Sequence, residues 1–407
     1  MGEKVLLKDP ELLRHSGEEI AFAVLAAASE KNISYACWRL PQSTELFVLL
    51  DFSESVVHRK PQLEKAEQGF IIQPFLQENK EDTIFLHADL LFSSVHKEFS
   101  FHPNFNDPLQ KDSFLKSVSE KLKEGNHPIQ LPENRQGEAM QTTEAHYLAL
   151  VDKAKEAILE NRFKKVVLAR SKAIETTASL DVTKVFQDLS VAYPNAFISL
   201  INTKETGTWL TASPEILASM DAQGVFKTIA LAGTQLLREG DKIQKAVWTQ
   251  KEIEEQALVG RYIINCFKKI RLREYEEEGP RTVQSGNLLH LRTDYTFQTN
   301  EQNFPELGTI MLELLHPTSA VCGMPKEVTL EFIKEHESLE RKLFSGYLGP
   351  VNINSASHIF VNLRCANLYE GKAVLYAGAG VTQDSEAEKE FKETEVKMEA
   401  VGRFFKI

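Results

Sequence analysis

The fold class expected for this sequence is α+β, in a layered α/β arrangement, and three features of the chain are compatible with it. Segments with strand character and segments with helical spacing are interspersed over most of the chain. The strands outnumber the short βα units that a doubly wound sheet needs. Neither a GxGxxG nor a GxxxxGK[ST] phosphate loop occurs, so nothing in the sequence supports binding of NAD, FAD or ATP.

Length and composition describe a globular protein that can bury a large core. The chain has 407 residues, 42% of them apolar and 26% charged, with a net charge of −11. This charge disfavours nonspecific attraction to nucleic acid or to anionic membranes. No apolar run is long enough to span a membrane, and the N-terminus lacks the apolar core of a secretory signal. We therefore expect a cytoplasmic protein.

The four cysteines indicate a reducing compartment. They are widely spaced and contain no CxxC pair, so neither a disulfide framework nor a zinc knuckle is expected. Buried free thiols are the expected state of these residues, which are Cys37, Cys266, Cys322 and Cys365.

Two regions are expected within one globule, residues 1–140 and residues 141–407. The first is a mixed α/β region without a chemical motif, in which EEIAFAVLAAASEKN is predicted to be a helix. Residues 123–141 are polar and contain proline and glycine, which predicts a linker or a long exposed connection. In the second region, predicted strands include KKVVLAR, AFISLIN, GTWLTA, HIFVNLRCANL and AVLYAGAGV.

Two residues in apolar segments are candidates for acid–base chemistry. Lys165 shares a strand face with Val167 and Ala169. It could reach solvent from the strand end, or face inward with a lowered pKa and act as a base. Glu215, in GTWLTASPEIL, could begin a turn or cap a helix, or it could be a buried acid whose raised pKa lets it donate a proton.

Glutamates on two predicted helices are candidate metal ligands. Glu255 lies on an apolar stripe, where a carboxylate should be paired or coordinate a cation, unless it sits at the exposed end of the stripe. On the last helix, Glu393 and Lys397 could form an i, i+4 surface pair; alternatively, the carboxylate could bind a hard cation while Lys397 neutralises an anion. Donors that are all oxygen suit Mg²⁺ better than zinc.

Other polar or small residues suggest a binding site for a carboxylate. Arg364 lies in an otherwise apolar strand, so it is either salt-bridged or available to bind a carboxylate through two parallel hydrogen bonds. Gly233 and Gly378 would let backbone N–H groups approach such a ligand closely. His316 precedes Pro317, which favours an extended backbone. A lone histidine is more often structural than catalytic, although the small residues around it suggest a tight wall.

Seven motifs, in order, resemble those of the chorismate-utilising enzymes. They are KVVLAR, SPEIL, ALAGT, the helix that carries Glu255, LHPTSAVCGMP, LRCANLYEGKAVLYAGAGV and EFKETEVK, spread over roughly residues 140–407. The string LHPTSAVCG resembles the isochorismate synthase branch, whereas anthranilate and aminodeoxychorismate synthases typically carry a string such as AGTVSGAPK there. The resemblance implies large antiparallel sheets that face each other, with helices outside.

The resemblance also implies an activity. It is that of an isomerase of the hydroxymutase type, a Mg²⁺-dependent isochorismate synthase that adds water at C2 of chorismate and removes the C4 hydroxyl. The product would feed menaquinone or siderophore synthesis. By this likeness, Lys165 activates the water, Glu215 protonates the departing hydroxyl, and Glu255 and Glu393 bind the Mg²⁺.

The implied substrate-binding residues come from the remaining motifs. Arg364, with Gly378 nearby and Lys397, matches the group that binds the pyruvyl carboxylate, and Gly233 matches a backbone contact. The predicted set is completed by two residues of LHPTSAVCG, His316 and Ala320.

One position departs from the family pattern. Gln256 follows Glu255 where the family commonly has histidine. Glutamine can form hydrogen bonds but cannot titrate, which leaves the metal geometry and the level of activity open.

The motifs leave three alternatives open. A salicylate synthase would also eliminate pyruvate at the same site. An anthranilate synthase-like enzyme would need ammonia, usually from a glutamine amidotransferase partner, and no such domain or partner is expected. A catalytically silent paralogue would bind carboxylates or partners through its N-terminal region, but the Lys165 and Glu215 pair argues against it. The sequence does not report the oligomeric state, and a monomer is compatible with it.

Overall fold

The computed structural model of the protein has two large antiparallel β-sheets that face each other and are covered by helices. It describes residues 3–6, 14–76, 83–105, 107–125, 127–133, 141–177, 179–237, 243–286, 288–299 and 304–405. The predicted linker, residues 123–141, lies partly outside these ranges. Its first residues end a helix, and Ile129 is buried in the core.

Eight α-helices lie within the described residues. They are α1 (Gly17–Glu30), α2 (Pro108–Glu124), α3 (Glu144–Leu159), α4 (Val182–Ala192), α5 (Gln250–Lys269), α6 (Leu307–Leu315), α7 (Lys326–His336) and α8 (Ala387–Gly402). Polar side chains begin several of them: Ser16 and Glu19 form a capping box on α1, and Thr143 caps α3. None of the helices in the described ranges is both long and apolar enough to cross a bilayer.

The first sheet has eleven strands, whose neighbours are all antiparallel. Their order across the sheet is β1 (Glu3–Leu6), β8 (Glu98–Phe101), β7 (Leu90–Ser93), β3 (Leu46–Asp51), β2 (Ser34–Arg39), β10 (Phe197–Thr203), β11 (Gly207–Ser213), β19 (Cys365–Tyr369), β20 (Lys372–Val381), β9 (Lys165–Glu175) and β16 (Gly323–Met324).

The second sheet has nine strands, also antiparallel throughout. Their order is β14 (Glu276–Ser285), β15 (Leu288–Gln298), β13 (Val225–Leu236), β12 (Ile216–Met220), β18 (Ser357–Val361), β17 (Tyr347–Val351), β5 (Gly69–Gln73), β6 (Thr83–His87) and β4 (Val57–Arg59). Strands from residues before 141 thus lie in both sheets, with β2 paired to β10 and β5 paired to β17.

Successive side chains of a strand point to opposite faces of the sheet, and the core is divided into layers accordingly. In β2, Tyr35 and Cys37 pack with α1 on the outer face, whereas Ala36 and Trp38 pack between the sheets. Because both faces of this strand are covered, all six of its residues are buried. The arrangement of facing sheets with helices outside is confirmed, and all four cysteines are buried and free.

Two of the points at which the chain passes from one sheet to the other are neighbours in space. Pro214 and Glu215 connect β11 to β12, and residues 362–364 connect β18 to β19. Backbone hydrogen bonds hold the two crossings together, from Ala212 N to Arg364 O and from Val361 N to Glu215 O, each at 3.0 Å. Two of the predicted site residues therefore lie side by side at the same end of the sandwich.

Candidate active site

A cavity opens where the chain crosses between the sheets. Its volume, including the open mouth, is about 630 Å³. Seven of the ten predicted site residues line it, namely Glu215, Gly233, Glu255, Ala320, Arg364, Gly378 and Lys397. Lys165 and Glu393 join this group through hydrogen bonds to lining residues.

Glu215 is a buried acid rather than a helix cap. Its exposed fraction is 4%, and its backbone N–H donates to Ser213 Oγ at 3.3 Å. Burial raises the pKa of its carboxyl to about 8, against the opposing positive charges of Arg364, Lys165 and Lys397. At neutral pH most of this carboxyl is therefore protonated and able to donate a proton.

Lys165 begins β9 and does not reach solvent, since its exposed fraction is 1%. Its Nζ donates to Glu255 Oε1 at 2.6 Å. Burial would raise the pKa of Glu255, but the charge and hydrogen bond of Lys165 outweigh it and lower that pKa below its usual value. Gly380 of β20 packs against the pair, because a Cβ there would lie 2.8 Å from Lys165 Cε and 3.0 Å from Glu255 Oε1.

Arg364 is a partly buried cation available for a ligand. Its backbone φ is 51°, in the left-handed region that few non-glycine residues adopt. Burial lowers the pKa of its guanidinium, partly offset by Glu393 and Glu215. In contrast to the other buried arginines, it donates no side-chain hydrogen bond to any residue in the described ranges. A guanidinium in this state suits a ligand carboxylate.

Helix α8 brings a third cation to the cavity. Lys397 Nζ donates to Gly378 O at 2.9 Å and pairs with Glu393 Oε1 at 2.6 Å, which is the predicted i, i+4 pair. Glu395 of the same helix binds Arg170 and Lys172 of β9. The helix that carries Lys397 is thus fixed to the strand that begins with Lys165.

The predicted metal ligands offer oxygen donors only. Glu255 and Glu393 each pair with a lysine through Oε1, which leaves Oε2 of each for a cation. Across the described part of the chain, no set of three or more His, Cys, Asp or Glu side chains is grouped to hold a metal by itself. Mg²⁺ is commonly held by one or two protein carboxylates together with waters and substrate oxygens, so this donor set fits it.

Gln256, the departure from the family pattern, holds helix α5 in place. Its Nε2 donates to Ala230 O at 3.2 Å and to Thr293 Oγ1 at 3.0 Å. These bonds tie α5 to β13 and β15, so Gln256 orients the helix on which Glu255 lies.

His290 lines the cavity and was not found from the sequence. Its Nδ1 lies 2.8 Å from Gly233 O, and since a carbonyl can only accept, Nδ1 carries the hydrogen. Burial, with the charge of Arg364, lowers the pKa of His290 to about 3, so the ring is neutral and Nε2 is an acceptor. Within the described ranges Nε2 has no hydrogen-bond partner. Gly233 itself has a φ of 66° at a break in the β13–β15 register.

His316 is the predicted residue that neither lines the cavity nor pairs through its side chain with a lining residue in the described ranges. Its ring packs edge-on against Tyr347 with the ring centroids 4.9 Å apart, and its carbonyl accepts from Lys326 Nζ at 2.7 Å. Burial lowers the pKa of His316 to about 3. Ala320, four residues further on, does line the cavity.

Comparison with known proteins gives several isochorismate synthases and also anthranilate synthase component 1 of Thermococcus kodakarensis, which is 26% identical over 266 residues. The isochorismate synthase EntC of Escherichia coli (strain K12) is 29% identical over 247 residues, which is 59% of this chain and 62% of that protein. The salicylate biosynthesis isochorismate synthase of Pseudomonas aeruginosa is 30% identical over 274 residues, 65% of this chain and 56% of that protein. The chain thus spans less than two thirds of these curated relatives.

A solved structure matches over the whole chain. MenF, the menaquinone-specific isochorismate synthase from Escherichia coli, is 20% identical, with a TM-score of 0.75 over 100% of this chain and 94% of that one. At this identity the likeness establishes the fold. A family model described as chorismate binding enzyme matches residues 25–406. Because that match covers nearly the entire chain, the protein belongs to the family of chorismate binding enzymes.

Proposed function

We propose that the protein is an isochorismate synthase, which isomerises chorismate to isochorismate. The observation that carries the proposal is Glu215, a buried carboxyl with a pKa of about 8, in one cavity with Arg364 and beside the pair of Lys165 and Glu255. A protonated acid in the cavity wall, and a potential base bonded to the cavity residue Glu255, suit the exchange of one ring hydroxyl for another. The similarity to EntC and to MenF, both isochorismate synthases from Escherichia coli, supports the same reaction.

The proposed reaction needs one proton accepted and one donated. Water forms a bond to ring carbon 2, the ring double bonds shift, and the bond between carbon 4 and its hydroxyl oxygen breaks. Lys165 accepts the proton of the attacking water. Glu215 supplies the proton that converts the departing hydroxide into water, and the two groups return to their starting states by proton exchange with solvent.

The charges of the cavity match the substrate class. Chorismate carries two carboxylates, and Arg364 and Lys397 supply positive charge to the cavity wall. Arg364 would receive the pyruvyl carboxylate through paired hydrogen bonds. Such local charges would overcome the net charge of −11 on the whole chain, which by itself repels an anion.

Mg²⁺ would be held by Glu255 and Glu393, and when bound it would supply positive charge for the ring carboxylate of chorismate. Glu255 and Glu393 lie on different helices, α5 and α8, which pack on different sheets. The proposed substrate is chorismate, and the proposed function does not require an amidotransferase subunit.

The test is incubation of the purified protein with chorismate, in Mg²⁺ and separately in EDTA, with products resolved by liquid chromatography and mass spectrometry. A Mg²⁺-dependent product of unchanged mass that coelutes with isochorismate would support the proposal. Formation of salicylate and pyruvate would replace it with a lyase reaction, and unchanged chorismate would refute it.

A matched pair of variants tests the role of the base. Lys165→Ala should lower kcat by roughly 10²–10⁴-fold, the usual contribution of a positioned acid or base. Lys172→Ala is the control, because Lys172 lies on the same strand and pairs at 2.7 Å with Glu395, which unlike Glu255 does not line the cavity. If both variants lost activity equally, the role assigned to Lys165 would be wrong.

A further inference from the structure

Ser345 is a polar residue of the cavity wall for which the proposed reaction has so far no role. It lies beside Phe344, its exposed fraction is 1%, and its Oγ has no hydrogen-bond partner among the residues that the structure describes. Its backbone φ is 64°, in the left-handed region.

Both features are unfavourable for a serine that has only a structural role. A buried hydroxyl without a partner loses its hydrogen bonds to water and gains none. A positive φ favours glycine, which would also remove the hydroxyl. A serine at this position is therefore explained if the hydroxyl finds its partner in a bound ligand.

The backbone around Ser345 is fixed to the crossing that carries Arg364. Ser345 N donates to Asn362 O at 2.9 Å, and Asn362 N donates to Gly346 O at 2.8 Å. The Asn362 side chain adds a bond from Nδ2 to Leu343 O at 3.0 Å. Ser345 is thus bonded to the residue two positions before Arg364 in the chain, and both Ser345 and Arg364 line the cavity.

We propose that Ser345 is a specificity residue, whose Oγ donates a hydrogen bond to the carboxylate-bearing side chain that Arg364 receives. The chemical class of ligand is a ring compound with a carboxylate on an ether-linked side chain. The inference rests on the proposed function, in which that ligand is chorismate. A ligand without this side chain would leave both the hydroxyl and the guanidinium unpaired, and would therefore bind weakly.

The test measures chorismate binding in the Glu215→Gln background, where turnover is blocked. By calorimetry with Mg²⁺ present, Ser345→Gly and Ser345→Ala should each weaken the Kd about tenfold, as for loss of a hydrogen bond to a charged group. In the otherwise unchanged enzyme the KM should rise by a similar factor, with kcat within about twofold. The glycine variant suits the positive φ, so it keeps the test valid if the alanine variant does not fold.

Ser199→Ala is the matched control. Ser199 is also a fully buried serine whose Oγ has no partner in the described ranges, but it does not line the cavity. Its replacement should leave Kd and KM unchanged. An equal loss in Ser199→Ala and Ser345→Gly would overturn the inference, because the effect would then come from buried serines in general.

A double-mutant cycle tests whether Ser345 and Arg364 act on the same ligand group. In an Arg364→Gln background, Ser345→Gly should weaken binding less than about threefold, because the side chain is no longer held in place. A full tenfold loss there, or unchanged Kd in the single variant, would overturn the inference while isochorismate formation by the wild type still stood. Conversely, suppose that the wild type binds chorismate tightly and Ser345→Gly binds it weakly, while no isochorismate forms. That result would refute only the proposed function. No chorismate binding at all would refute both.

Discussion

Two regions with buried ionisable residues adjoin Val167, which lines the cavity and whose carbonyl accepts from Arg341, and their hydrogen bonding differs. In the first region, Arg341 donates to Glu337 at 2.6 and 2.7 Å, to Val321 O at 2.9 Å and to Val167 O at 2.8 Å. Glu337 also accepts from Ala169 N at 3.0 Å. Both side chains are 2% exposed, and their charged groups are satisfied within the protein.

In the cavity, Glu215 and Arg364 have opposite formal charges but form no side-chain hydrogen bond to each other in the described structure. Glu215 is instead held neutral by burial, with a pKa of about 8. Buried polar groups in proteins are normally paired, so groups left without partners in a cavity indicate a ligand. The pair of Glu337 and Arg341 is therefore expected to stabilise the fold, whereas the proposed function assigns Glu215 and Arg364 to the ligand.

The largest expected effect is on kcat, when Glu215 in the cavity is replaced. Glu215→Gln should lower kcat by roughly 10²–10⁴-fold, because the amide cannot donate the required proton. Its effect on stability has the opposite sign. The folded-state pKa of Glu215, about 8, lies above the ordinary value of 4.5, so the free energy of unfolding falls as pH rises between these values. Glutamine avoids that loss, and the variant should be more stable than wild type at pH 8 by roughly 1–3 kcal/mol.

Urea unfolding and steady-state assays on the same preparation measure both effects. A variant that loses activity and stability together would show that Glu215 belongs with Glu337 as a structural group. That result would remove the distinction between the two regions.

The next largest effect is on the free energy of unfolding, through the pair of Glu337 and Arg341. Arg341→Met should lower the free energy of unfolding by about 3–5 kcal/mol, because it leaves the Glu337 carboxylate buried without its partner. Replacing both residues, as in Glu337→Gln with Arg341→Met, should restore part of this loss. Urea denaturation followed by circular dichroism measures it. A loss below about 1 kcal/mol would mean that water replaces the guanidinium, as is usual for exposed pairs.

The pH dependence of the reaction separates the regions further. Glu215 must be protonated to act as an acid, so kcat/KM should fall about tenfold per pH unit above the pKa of about 8. At pH values above this pKa, the free energy of unfolding should not fall in parallel with the rate. The reason is that Glu215 is then ionised in both the folded and the unfolded state. Rates and melting temperatures between about pH 6 and pH 10 test this. A rate that keeps rising across the range would show that a protonated Glu215 is not required.

The sequence predicted those residues of the candidate site that differ from their neighbours along the chain. Lys165 and Glu215 are charged residues among apolar neighbours, and Arg364 interrupts an apolar strand, so each stands out in its own segment. The face shared by Lys165 and Val167 follows from the two-residue period of a strand.

Residues whose role depends on tertiary contacts did not stand out. Ser345 is distinguished by the absence of a partner for its hydroxyl and by its positive φ, and neither can be read from its neighbours in the chain. The crossing of the chain between sheets at Glu215 and Arg364 depends on strand order, in which β11 lies beside β19 and β12 beside β18. His316 was selected from a motif, but its ring packs against Tyr347 instead of lining the cavity.

The smallest expected effect concerns His290, whose neutral ring has one nitrogen in a hydrogen bond and one without a partner in the described ranges. Its Nδ1 donates to Gly233 O, so this nitrogen is paired like the groups of Glu337 and Arg341. Its Nε2 has no hydrogen-bond partner in the described ranges, so this nitrogen resembles the guanidinium of Arg364. His290→Asn places an N–H near the position of Nδ1 and removes Nε2, whereas His290→Gln places its amide near Nε2. If Nε2 accepts a hydrogen bond from the substrate, Asn should raise the KM about tenfold with little loss of stability. Equal KM values for wild type and Asn, with Gln less stable, would assign His290 to the fold, since then only its bond to Gly233 matters.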